Sequence, residues 1–246
     1  SKAEDPCATV TIYTPEFPSV TLSGTSRMSV SGGAFSGDEL SVTLSGVAKI
    51  DGLSGTWNRA NITMSGTARM DNLTLKSGAC YLTCSGVAEI AGVSSIYSDK
   101  VQLSMSGVTS IAMDNIYSGL ANVTSSGASR LKSLEFNARE LIADLSGTSS
   151  VKFVGKIDKI SAEMQGASSL SLNGNGNEVT VSASGTSTLN AKNFTVKDAS
   201  LKLSGVAGAT VTVTEKLETE TSGSSHIDYY GNPKTVSNKS NNVVRH

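Results

Sequence analysis

The chain has 246 residues, and its 20 basic and 21 acidic side chains leave a formal charge of −1, so no global field draws it to nucleic acid or to an anionic membrane. Apolar residues make up 38% of it, enough for a core, yet no apolar run reaches the roughly 18 residues that a membrane helix needs. The opening letters SKAEDPCATV hold no charged segment followed by an apolar stretch, so no leader is expected within them.

Residues 1–18 carry Pro6, Pro15 and Pro18 with the aromatics Tyr13 and Phe17, and read as an N-terminal cap. Proline donates no ladder hydrogen bond, and positions 19 to 232 contain none, which agrees with unbroken sheet between the two ends. Cys7 stands outside the pattern that follows and reads as a free thiol, since the preceding KAEDP is no lipid-attachment signal.

From residue 19 to residue 231 one motif recurs. It is marked by Gly24, Gly46, Gly66, Gly86, Gly107, Gly127, Gly147, Gly166, Gly185, Gly205 and Gly223, at a mean step of 19.9 residues. All but Gly166 follow a serine. Four and two residues before the glycine stand apolar side chains, as in Val42 and Leu44 or Ile62 and Met64, with Thr43 or Thr63 between them. That alternation is a strand with one dry face and one wet face. After the glycine comes a small residue two on, then an apolar one four on, such as Ile50, Met70 and Ile90, so a second strand follows each corner. Glycine suits a corner with an unusual torsion or a close chain approach, and the serine hydroxyl before it is expected to bond the backbone there. Strands at this spacing leave no room for a crossover helix, so like strands must stack on like. The predicted fold is all-β, a right-handed single-stranded parallel β-helix of about eleven coils of about 20 residues, roughly 50 Å long at about 4.8 Å per coil.

Along the coils, the third position after each glycine reads Arg27, Lys49, Arg69, Glu89, Ser110 and Arg130. This basic stripe, centred on Lys49 and Arg69, is a candidate surface for an anionic glycan or lipid headgroup, and without interleaved aromatics it does not suit nucleic acid. Asp51 and Asp71, each five after a glycine, are expected to stack on adjacent coils, where a pair could share a proton or hold a cation. The nearby Lys49 and Arg69 favour a plain solvated surface instead. Trp57 lies nine before its glycine, Tyr97 and Tyr117 ten before theirs, in a third segment that also holds Asn58, Asn61, Asp99, Asn115 and Asn122. Loop-side aromatics beside amides suit stacking on sugar rings; the alternative is that they pack over the third corner.

Cys80 and Cys84 share the inward face of one strand, about 13 Å apart and beyond disulfide reach, and read as small buried hydrophobes. A Thr/Ser ladder three before the glycines breaks at Asp144, Glu163 and Lys202, against an ice-binding face. Sequons at Asn61, Asn72, Asn122 and Asn193 follow from Ser and Thr filling alternate strand positions. In the last coil the inward pair becomes Thr219 and Thr221, His226 points outward, and residues 232–246 read as a cap and loose tail ending in a mobile His246.

The serial SG corners, the S-G-[TVA]-[SA] sequence and the ending Ile-x-Tyr-Tyr-Gly-Asn-Pro at 227–233 resemble the auto-transporter adhesin family with a head GIN domain, exported proteins common in gut Bacteroidetes. The resemblance implies a β-helix of pectin-lyase-like shape, exported to the cell surface, outer membrane or periplasm and secreted or lipoprotein-anchored, with an adhesive role and no catalytic residues. The letters Gly-Ile-Asn do not occur, so no tip motif carries over.

Three functions compete. The first is a non-catalytic surface rod that binds an extracellular glycan or another cell-surface component, with Trp57, Tyr97, Tyr117, Lys49 and Arg69 as its ligand surface and no cofactor or metal. The second is a polysaccharide-active enzyme on the same fold. The third is a protein that binds lipid or lipopolysaccharide along the basic stripe.

Overall fold

In the computed structural model, residues 10–17, 19–239 and 242–246 are described; Cys7 and Pro18 lie outside them. Among the described residues there are 18 strands, joined in one sheet, and no helix. The strands pair in parallel, and each position lies on the one about 20 residues before it. Val42 is partnered by Ile62, Ile62 by Leu82 and Leu82 by Leu103; Leu44, Met64, Cys84 and Met105 stack in the same way. The result is a β-solenoid of about eleven turns. Steps other than 20 are absorbed by register shifts, as between Ile90 and Val93 or between Ala191 and Thr195.

The corner glycines have a physical cause. Their φ angles run from +66° to +77°, the left-handed region that a side chain disfavours. They also stack on one another. A Cβ at Gly127 would lie 2.6 Å from the carbonyl oxygen of Gly107, which accepts the Ala128 N–H at 2.8 Å. The hydroxyl chemistry differs from expectation. The serine before the glycine reaches the carbonyl of the preceding coil only at 3.3–3.5 Å, as in Ser85 to Met64 and Ser45 to Leu22. The shorter bonds come from the inward residue two after the glycine: Ser149 donates to Ser146 O at 2.7 Å and Ser187 to Ser184 O at 2.7 Å. Both serines are buried, so each hydroxyl needs the corner carbonyl as its partner.

Inside the tube, columns of Leu, Ile, Val and Met form one continuous core, with Phe136 and Phe153 stacked at 4.1 Å near its middle. At the entry, Phe17 is buried and its ring lies 5.3 Å from Phe35. At the far end the buried Thr219 donates to Asn238 Oδ1 at 3.0 Å. The region read as a loose tail contains two strands, Thr235–Asn238 and Val243–Arg245, which pair in parallel on Lys216–Thr219 and on Ile227–Tyr229. His246 is tied down by its N–H to Tyr229 O at 3.0 Å, by Asp228 at 3.1 Å and by stacking on Tyr230 at 5.0 Å. No SG corner joins these last strands, which is why the repeat did not reveal them. No described helix is long and apolar enough to cross a membrane.

Candidate functional site

A groove of about 770 Å³ runs along the third corner over six coils, from Asn58 to Asp158. Three adjacent columns build it. The floor column is Trp57, Ser77, Ser98, Ser118, Ala138 and Ile157, each stacked on the next. Trp57 and Ile157 are each 1% exposed and fill the interior beneath the two ends of the groove, while the side chains between them are small. The floor hydroxyls are already committed: Ser77 donates to Ser98 Oγ at 3.2 Å, Ser98 to Lys100 O at 2.8 Å and Ser118 to Leu120 O at 2.8 Å. The remaining polar side chains of the groove stand on its walls.

One wall is the column Thr56, Lys76, Tyr97, Tyr117 and Asn137. Tyr97 and Tyr117 stack at 4.9 Å with their planes 2° apart, and Tyr97 is 47% exposed. Tyr117 donates to Glu135 Oε1 at 2.7 Å and Asn137 to the same oxygen at 2.9 Å. The bond to Glu135 lifts the Tyr117 hydroxyl above its ordinary pKa. The opposite wall carries Asn58, Gly78, Asp99, Gly119, Arg139 and Asp158. A Cβ at Gly119 would come within 2.7 Å of the Arg139 guanidinium, which therefore lies against a glycine that makes room for it. Lys156 pairs with Asp158 at 3.5 Å.

Trp57 is corrected by its position. It was grouped with Tyr97 and Tyr117 as a ligand aromatic, but it is buried in the core cluster, where its ring passes over Gly37 and leaves no room at Gly55. Strand side chains alternate faces, so nine residues before the glycine points inward and ten points outward. Lys76, Arg139 and the serine floor were missed by residue-level reading. The signal was in the column: from Trp57, steps of about 20 letters give Ser, Ser, Ser, Ala and Ile, a run of small residues between two large ones.

The basic stripe is present but largely neutralised. Lys49 stacks on Arg69 and Arg69 on Glu89, as the period requires. Lys49 Nζ lies 2.8 Å from Asp71, and Arg69 is bound both to Asp71 at 2.9 Å and to Glu89. Partial burial alone would raise the Asp71 carboxyl, but the hydrogen bonds from Arg69 and Lys49 outweigh it and hold the group below the usual carboxylate range. Asp51 stacks on Asp71 and accepts the Asn72 amide at 2.7 Å. The two acids are thus bound to cations and an amide, and among the described residues no group of three or more His, Cys, Asp or Glu could hold a metal ion. His226 is exposed beside Gly208.

Residues 116–233 match a protein family described as "Putative auto-transporter adhesin, head GIN domain". No curated protein and no solved structure matches the chain.

Proposed function

We infer, from the match of residues 116–233 to a family described as auto-transporter adhesin head GIN domains, that the chain is an exported, adhesin-like rod and that the third-corner groove is its ligand surface, with a glycan as the ligand. The observation that carries this reading is the recess itself. It is long, open along the rod axis, and walled by two stacked tyrosines on one side and by an amide, a carboxylate and a guanidinium on the other. Sugars present both apolar ring edges and hydroxyl arrays, and such a wall offers partners for each. The basic stripe is less suited to the task, because its cations already have partners.

The test is a glycan array read with the wild-type chain and with the double variant Tyr97→Ala, Tyr117→Ala. Both positions face solvent in part, so the variant should keep its thermal transition while losing about tenfold or more in binding. Undiminished binding by a folded double variant would move the ligand surface elsewhere. New reducing ends released from a bound polysaccharide would replace the adhesin with an enzyme.

A further inference from the structure

Resting on that reading of the groove, we propose that its ligand is a linear acidic glycan, bearing carboxylate or sulfate groups, laid parallel to the rod axis between Lys76 and Arg139. Three features lead there. The first is direction. The recess crosses coils rather than following one, and its floor of small residues, from Ser77 to Ala138, covers three coil steps, about 14 Å at roughly 4.8 Å each. A ligand filling it must run along the stack.

The second is period. The walls present a new set of groups once per coil, about 4.8 Å apart, whereas an extended peptide repeats on one side about every 6.8 Å and would drift out of step. A chain of pyranose rings advances by close to one coil spacing per residue and stays in register.

The third is charge. Lys76 and Arg139 are exposed and have no ion-pair or hydrogen-bond partner among the described residues. They stand on opposite walls, at opposite ends of the recess, so a chain between them meets one cation on each flank. The neighbouring Lys156 is engaged by Asp158 and adds little net charge. The opposing groups are Glu135, whose carboxylate is already held by Tyr117 and Asn137, and Asp99, on the Arg139 wall between the two ends, where it would accept a sugar hydroxyl rather than face an anion. Anionic groups therefore belong at the ends and hydroxyls in the middle.

The experiment is calorimetric titration of the full chain with polygalacturonate oligomers, chondroitin sulfate oligomers and neutral β-1,4-glucan oligomers. It is repeated for Lys76→Gln, Arg139→Gln, Tyr97→Ala with Tyr117→Ala, and the remote Lys197→Gln. The expected result is about tenfold tighter binding of the acidic probes than of the neutral ones, weakened by salt, with a comparable loss in either groove-cation variant and none in Lys197→Gln. Affinity should climb with length until roughly four residues span the recess. Whether carboxylate or sulfate is preferred follows from the two acidic arms. Neutral oligomers bound as tightly, sensitive to the tyrosine pair but not to the cations, would overturn the acidic assignment while leaving the groove as the ligand surface. Acidic oligomers bound equally by every variant would overturn both, and so would the absence of binding by all three probes.

Discussion

At Gly127 the backbone stands at φ +75° with the Gly107 carbonyl 2.6 Å from where a Cβ would be, so two separate costs meet at one atom. At Gly24 the φ is +66° but no described atom lies within 4 Å of such a Cβ. Gly24→Ala should therefore cost only the torsional share, about 1–2 kcal/mol at most, and Gly127→Ala clearly more. Denaturant unfolding of the two variants checks this; equal losses would mean that carbonyl stacking does not constrain the corner. Asp71 gives a second residue-scale expectation. Its carboxyl is depressed in the folded state, so the stability it contributes is present above the ordinary carboxylate range and disappears as pH falls through the folded value. Asp71→Asn should cost about 1 kcal/mol at neutral pH and nothing in strong acid, a difference that unfolding measured at both pH values would detect. A penalty independent of pH would show that the pairs with Lys49 and Arg69 contribute no net stability.

Columns, rather than residues, are the elements of this molecule, and they decide what the letters could reveal. The inward columns were legible because each repeats one chemistry: Ala60, Cys80 and Val101 share a column, as do Met64, Cys84 and Met105. Burial pushes both thiols up to about 12, so neither is a thiolate near neutrality. In a Cys7→Ser background, maleimide labelling should be negligible until denaturant is added; rapid labelling of the folded chain would contradict the inward register. Outward columns were harder to read. Tyr97 and Tyr117 differ from Trp57 by a single position in phase, which is enough to send the indole into the core. The groove was hidden for a different reason: it lies between two outward columns over a floor of small residues, and small residues carry no chemical signature of their own. The terminal strands Thr235–Asn238 and Val243–Arg245 escaped because polar Ser, Asn and Lys letters around them look like a tail, although backbone pairing, the Thr219–Asn238 bond and Val243 against the core hold them in the sheet.

For the whole molecule, stacking in a line means that each coil needs only its two neighbours. Deleting residues 186–205, one full turn between Gly185 and Gly205, should leave a folded rod shorter by about 4.8 Å, because every column stays in phase. Deleting only residues 186–195 would set the Gly205 corner against a strand, at the place where Thr195 pairs with Asn175, and should abolish cooperative unfolding; a folded product from the half-turn deletion would contradict the columnar account. In the same geometry a one-dimensional core, cut off from solvent along its length, holds the surface groups at a fixed pitch. The fold and the period were legible in the sequence, whereas the third-corner groove appeared only once the columns were closed into a tube.

The most direct measurement of the ligand surface is carbon-detected NMR of ring-labelled tyrosine during titration with a polygalacturonate oligomer. The account predicts that Tyr97 and Tyr117 shift together and saturably, while Tyr13, Tyr229 and Tyr230 stay in place. A saturable binding isotherm with the Tyr97 and Tyr117 signals unmoved, or one abolished by Lys49→Glu and Arg69→Glu instead, would place the ligand on the basic stripe and contradict it.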